Sequence, residues 1–157
     1  YGGEADTCMW EVVKRHNVPY VLTHSLAIAD TTSGQYDSTL SQTLDYLQDR
    51  LSYLHRSGVK DVVVDPGFGF GKTLEQNYAL LRQLEVLHVL HAPILVGVSR
   101  KSMLYKPLQT IPQDVLPATT AAHMIALQKG ANILRVHDVE AAQQAIMVYE
   151  LTYQTSK

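Results

Sequence analysis

The stretch VVVDPGFGFGKT, Val62 to Thr73, decides how this chain is read. A run of valines leads into a carboxylate, a proline and a glycine-rich turn that closes on Gly71-Lys72-Thr73. That ending invites a phosphate-binding P-loop, in which a glycine and then four further residues precede Gly-Lys-Ser/Thr so that successive N–H groups wrap the phosphates. The required glycine falls on Pro66, which has no N–H, and counting from Gly67 leaves the loop one residue short. The dinucleotide pattern Gly-x-Gly-x-x-Gly fails as well: Gly67 and Gly69 fit, but Lys72 stands where the third glycine belongs. What remains is a buried strand that delivers Asp65 to a turn whose glycines let the backbone come close to a ligand.

Working outward, the 157 residues suit one domain with a real core, and the composition, 46% hydrophobic and 18% charged, is that of an ordinary soluble protein. A net charge of -2 offers no basic footprint for nucleic acid or an anionic membrane surface. No apolar run is long enough to span a bilayer. A single cysteine, Cys8, excludes an internal disulfide framework and fits a reducing, cytoplasmic compartment. The opening Tyr1-Gly2-Gly3 lacks a methionine and suggests a fragment or processed product.

Apolar residues alternate between two periods. Short β-branched or aliphatic runs at Pro19–Thr23, Asp61–Val64, Pro93–Val98 and Asn132–Val136 read as strands. Between them, Leu40, Leu44, Leu47, Leu51 and Leu54 form one helical face that closes at Gly58. Glu75 to Leu90 reads as another helix, Thr119 to Lys129 as a third ending before Gly130, and Glu140 to Leu151 as a last one capped by Asp138. An opening helix from Asp6 to His16, capped by Asp6, precedes the first strand. The order α-β-α-β-α-β-α-β-α calls for parallel strands with right-handed helical crossovers. Length favours a small doubly wound sheet, because four strands cannot close a barrel whose usual size is ~250 residues. Polar placement favours half of a (β/α)8 barrel: His24, Asp65, Ser99-Arg100-Lys101-Ser102, and Arg135 with His137 all follow strand C-termini. A barrel gathers every strand end at one mouth, whereas an open sheet concentrates its site at one switch point.

Those strand ends carry the candidate chemistry. Asp65 reads as a helix cap or a solvated carboxylate, or as a bidentate acceptor for an amidine-like heterocycle edge. Phe68 and Phe70 are either core or the walls of a flat ligand's slot. In VGVSRKS, Gly97 implies close approach of a ligand or backbone, Lys101 can donate to a ring carbonyl, and Ser102 stands at a helix start suited to an anion. The same segment also reads as a basic patch capped by serine. Arg135 and His137 share one face of an alternating strand and can both donate to an anionic leaving group such as pyrophosphate. A charged Arg135 in a buried sheet has little structural rationale. His88 and His91 lack a third ligand and read as a surface pair. Cys8, Met9 and Trp10 read as core, Asp45, Asp49 and Arg50 as a solvated face, and Met103–Pro117 as a long strand-to-helix connection.

Taken together and in this order, DPGFGFGKT, LVGVSRKSML, TTAAHMIAL and GANILRVHDV closely resemble the C-terminal half of the dihydropteroate synthase family. The resemblance covers nearly the whole chain, residues 1–157, and implies a (β/α)8 barrel of which this is a half. It implies condensation of 6-hydroxymethyl-dihydropterin pyrophosphate with p-aminobenzoate, giving dihydropteroate and pyrophosphate in folate biosynthesis, in a family that sulfonamides target. By the same resemblance Asp65 holds the pterin amino edge, Lys101 bonds the pterin carbonyl beside the aminobenzoate, and Gly97 lines the pterin slot. Phe70 contacts p-aminobenzoate, Ser102 binds its carboxylate, and Arg135 and His137 grip the pyrophosphate, with Mg2+ accompanying it and no protein-only metal site expected. Ser25 departs from the family's second methionine in the pterin pocket. The family's N-terminal half, with its Asn, Asp and mobile Thr-Arg loop, is absent, so the isolated chain is expected to be inactive. Two rival readings are a pterin-dependent methyltransferase, disfavoured by SRKS and RVHDV, and a non-catalytic half-barrel whose open edges drive self-association or a homodimer.

Overall fold

The structure is a computed structural model that describes residues 8–26 and 36–153. Helix α1 spans Cys8–His16, β1 Tyr20–Thr23, α2 Tyr36–Arg56 and β2 Val62–Asp65. Then come α3 Leu74–Arg82, a 3-10 helix Leu84–Leu90, β3 Leu95–Val96, α4 Ser102–Tyr105, a 3-10 turn Pro112–Asp114, α5 Leu116–Gln128, β4 Ile133–Leu134 and α6 Val139–Tyr153. The expected cap Asp6 lies outside the described residues.

The strands pair in parallel and in chain order. β1 runs beside β2 from Tyr20↔Val62 to Thr23↔Asp65, Val64 bridges to Ile94, and β3 pairs with β4 through Leu95↔Ile133 and Val96↔Leu134. This order has no reversal, and a reversal is what a doubly wound sheet requires at its switch point. The last two strands are shorter than their apolar runs suggest, because the chain turns toward the site immediately after Val96 and Leu134. Arg135 therefore lies just beyond β4 rather than inside a buried sheet, and half of its side chain meets solvent.

The leucine stripe of α2 packs as its spacing dictates. Leu47, Leu51 and Leu54 are buried, Leu40 and Leu44 partly so, and the helix stops before Gly58, whose φ of +91° the Cβ-bearing residues avoid. The expected single helix Glu75–Leu90 is two. The α-helix ends at Arg82, and the chain tightens to three residues per turn, which puts Leu84, Leu87 and Leu90 on one buried line. Helix α5 begins three residues before the expected Thr119, with Pro117 in its first turn, where a missing N–H costs nothing. Met103–Pro117 contains α4 and the 3-10 turn rather than bare connection.

The opening helix corrects two expectations. Cys8 and Met9 are exposed, not core, because this short helix has one inward face and Trp10 occupies it, its ring 4.8 Å from that of Tyr53. The core itself gathers Leu22, Leu47, Val64, Phe68, Leu84, Leu87, Ile94 and Val96 between sheet and helices. No helix among the described residues is long and apolar enough to cross a membrane.

Candidate active site

The site is assembled where the strands end. Register alone brings Thr23 opposite Asp65, and the turn after β2 folds back over the end of β1. Leu26 N–H donates to Phe70 O at 3.2 Å, and His24 N–H to Asp65 O at 2.9 Å. Gly67 sits so close beneath His24 that a Cβ there would lie 1.7 Å from the His24 carbonyl oxygen, with φ at +70° besides. Only glycine fits that crossing.

Asp65 is buried at 1% exposure, and its two oxygens are divided between different partners. Oδ1 accepts the Gly67 N–H at 2.8 Å. Oδ2 faces Arg135 Nη2 at 3.0 Å and the Thr23 hydroxyl at 3.5 Å. The guanidinium reaches Asp65 by lying over Gly97, where a Cβ would stand 2.9 Å from Nη2 and 3.2 Å from Nε. Gly97 thus keeps open a thin slot, and a flat nitrogenous group already lies in it with its edge on the carboxylate. Asp65 and Arg135 were expected at opposite ends of a ligand; here they touch.

Lys101 lies across the same mouth. Its ammonium donates to Phe68 O and lies 4.8 Å from the centre of the Phe70 ring. Burial depresses its pKa, Asp65 opposes the shift, and the charge of Arg135 adds to it. The two phenylalanines, ambiguous in sequence, separate cleanly. Phe68 is wholly buried in the core, and Phe70, two residues on across Gly69, stands half-buried at the mouth. Phe70, Lys101 and Ser102 share a cleft of about 350 Å³ with Phe68, Arg100 and Tyr105.

His137 is exposed and borders the site from β4. Its Nδ1 is 3.0 Å from Ser99 Oγ, which also accepts the His137 N–H at 3.2 Å. Ser99 is buried and thereby fixes the ring's position. Next to it, Arg100 makes a two-pronged ion pair with Asp138. The carboxylate expected to cap α6 is therefore spent on tying the β3 end to the β4 end, because a guanidinium offers it two charged donors.

Two contributors, Lys72 and Asn77, escaped the sequence reading, which placed His24 at a strand end but gave it no role. Lys72, dismissed with the P-loop, is buried at 9% exposure and donates to Gly67 O at 2.9 Å. Burial lowers its pKa to about 8, against the pull of Asp65 and with the push of Lys101. His24, held by Thr43 at 3.1 Å, is driven down to about 3 first by burial and then by the charge of Lys72, so it is neutral at neutral pH. Asn77 staples the turn, accepting from Gly69 N–H at 2.7 Å and donating to the carbonyls of Lys72 and Thr73. The Thr73 to Gln76 capping box, legible as a pattern, sets the helix start that aims Asn77 there. His88 and His91 remain apart from all this, His88 resting 3.2 Å from Gly130 O at the surface.

The strand ends of this parallel α/β chain thus converge on one buried carboxylate, a glycine-floored slot and the cations Lys72, Lys101 and Arg135, a layout suited to a flat, anionic ligand. The class becomes specific by comparison. Residues 1–137 match the family model described as pterin binding enzyme, and the chain belongs to that family. It is 35% identical over 146 residues to dihydropteroate synthase of Escherichia coli K12, covering 90% of this chain and 52% of that protein. Against the Bacillus subtilis dihydropteroate synthase the figures are 34% over 142 residues, with 89% and 48% covered. Among solved structures, the Thermus thermophilus dihydropteroate synthase in complex with 6HMPPP superposes with a TM-score of 0.89 at 35% identity, over 97% of this chain and 62% of that one. The Yersinia pestis enzyme with a sulfonamide drug gives 0.89 at 32%, over 96% and 57%. The chain spans about half the length of the curated relatives it matches.

Proposed function

We propose that this chain provides one arc, four consecutive strands, of a (β/α)8 barrel, and with it one wall of a dihydropteroate synthase site. The reaction is condensation of 6-hydroxymethyl-dihydropterin pyrophosphate with p-aminobenzoate, with release of pyrophosphate, as a step toward folate. The observation that carries the reading is the slot: Asp65 buried at its end, Gly97 as its floor, and a guanidinium lying in it on the carboxylate. A 2-aminopyrimidinone edge presents the same paired N–H groups that a guanidinium does. In this reading the pterin amino edge replaces Arg135 on Asp65, and Lys101 donates to the pterin carbonyl. Phe70 and Ser102, which share the 350 Å³ cleft with Lys101, receive the ring and carboxylate of p-aminobenzoate. Arg135 and His137, on the exposed face beyond β4, take the pyrophosphate.

The chemistry asked of these residues is electrostatic. Carbon–oxygen cleavage leaves pyrophosphate with growing negative charge and the pterin methylene with positive charge, and the amine of p-aminobenzoate then attacks. Preset cations at the leaving group and a preset anion at the pterin edge favour that charge separation without reorganising water. Among the described residues no group of three His, Cys, Asp or Glu side chains is disposed to hold a metal. Asp65 already accepts the Gly67 N–H on one oxygen and Asp138 is held at both oxygens by Arg100, so the donors do not suit a resident magnesium. In this reading magnesium comes with the pyrophosphate as part of the substrate.

The decisive experiment is calorimetry of the 157-residue chain with a pterin analogue. Binding that Asp65→Ala removes supports the reading; binding indifferent to Asp65 overturns it. Turnover is a separate matter, since the relatives are about twice as long. The chain alone is proposed to bind without turning over both substrates. Self-association is the second reading, supported by Met147, Val148 and Leu151 standing exposed along α6. A cytoplasmic setting is supported by the lone Cys8.

A further inference from the structure

Lys72 is the charged group at this site whose position is hardest to explain by packing. It is 9% exposed, yet the partner of its ammonium is a neutral carbonyl, Gly67 O, at 2.9 Å. An uncharged side chain of the same length fills that space without the cost of desolvating a cation. The residue that accepts from Lys72 is also the residue that holds Asp65: Gly67 receives the ammonium on its carbonyl and gives its N–H to Asp65 Oδ1 at 2.8 Å. Gly67 can serve both because its φ of +70° turns the two groups in the directions required. Asn77 pins the other side of the turn, through Gly69 N–H and the Lys72 carbonyl, so the lysine's backbone is anchored while its side chain reaches back.

We propose that Lys72 is a positioning residue for the proposed pterin site, fixing the orientation of Asp65 through Gly67 by the charge-assisted hydrogen bond of its ammonium to the Gly67 carbonyl. It does so without touching substrate. The inference rests on the reading of Asp65 as the ligand-binding carboxylate.

The charged and titratable groups around Lys72 come from each neighbouring element. His24 lies at the end of β1, Asp65 on β2, Lys101 ahead of α4, and Lys106 lines a small cavity with it at the far end of α4. His24 is neutral throughout the range that matters, being held down to about 3. Lys72, at about 8, is protonated below that value and neutral above it. The charge-assisted bond from Lys72 to Gly67 therefore weakens as pH rises through the value of Lys72, the turn that orients Asp65 loosens, and ligand affinity falls in that window.

Two measurements on the full chain test this. With lysine Cε labelled by 13C, Lys72 is followed from about pH 6 to about pH 11, across the ordinary lysine range. Its midpoint falls in Asp65→Asn, because the carboxylate that opposes burial is gone; an unchanged midpoint overturns the coupling. Calorimetry with unsubstituted pterin at about pH 7 and about pH 9.5 then shows wild-type affinity dropping roughly tenfold more than that of Lys72→Met or Lys72→Arg, whose smaller common slope is the ligand's own ionisation. If Lys72→Met keeps the wild-type slope, the slope does not come from Lys72 and the proposal is wrong. If Lys72→Met does not fold, the Asp65→Asn titration and Lys72→Arg still decide. Should the wild type bind no pterin while the Lys72 midpoint answers to Asp65→Asn, the proposed function fails and the Lys72–Asp65 coupling stands.

Discussion

Arg135 Nη2 lies 3.0 Å from Asp65 Oδ2, a contact between a side chain half in water and one that is 1% exposed. The two come from strand ends separated by β3, 70 residues apart in sequence. Because the arginine can return to solvent, the pair is reversible in a way that a pair with both partners buried is not. A ligand that offers Asp65 the same donors has only to displace a side chain that water will accept.

Asp65→Ala tests that exchange. Arg135 is released to solvent but the Gly67 N–H loses its acceptor, so stability falls by about 1–3 kcal/mol, while affinity for a pterin analogue falls at least about tenfold, ~1.4 kcal/mol. Thermal unfolding and calorimetry on the same samples separate the two effects.

Gly97→Ala is predicted to act on the slot alone. The added Cβ meets the far end of Arg135 at 2.9 Å, and that end is free to swing away. The fold is retained, and a flat ligand that needs the same clearance loses about tenfold or more in affinity. Equal affinity in wild type and variant means the ligand does not lie over Gly97.

Gly67→Ala has the opposite profile. Its Cβ meets the His24 backbone oxygen at 1.7 Å, and neither backbone can yield without parting β1 from β2. Destabilisation above about 3 kcal/mol is expected, measured by urea denaturation.

His24 gives the chain an acid limit. Its folded pKa of about 3 lies below the ordinary 6.5, so the unfolded chain binds the extra proton between those values and stability falls as pH drops through that window. At pH 5 the loss is about 2 kcal/mol, and His24→Gln should lessen the slope of stability against pH between about 7 and 5. An unchanged slope assigns the acid limit elsewhere.

Light scattering across a concentration series checks self-association. The exposed apolar residues of α6 predict a mass that rises with concentration, and Leu151→Glu, at a position 80% exposed, should return it toward the monomer.

The elements of the fold were legible because their apolar periods are clean, and the site because polar groups follow apolar strands at Asp65, Lys101 and Arg135. What stayed hidden has physical causes. Glu75–Leu90 divides since leucines three apart serve an α-helix and a 3-10 helix alike, and only packing chooses. The Arg100–Asp138 pair joins residues 38 apart, beyond any local pattern. Lys72 was overlooked because a lysine is rarely buried, and its burial depends on the turn closing over it. Phe68 and Phe70 differ by the direction Gly69 imposes, a backbone angle that composition does not announce.

The unbroken strand order also bears on how this chain gains its structure in time. Paired residues lie 42 positions apart in β1 and β2 and 38 in β3 and β4. No pairing spans the chain from end to end among the described strands, so each βα step can be completed on the one before it. Loop-closure costs are met in similar instalments rather than in one long search. Pulsed hydrogen exchange during refolding should accordingly follow the joining of β2 to β3 at the Val64 N–H, which donates to Pro93 O beside its bridge to Ile94.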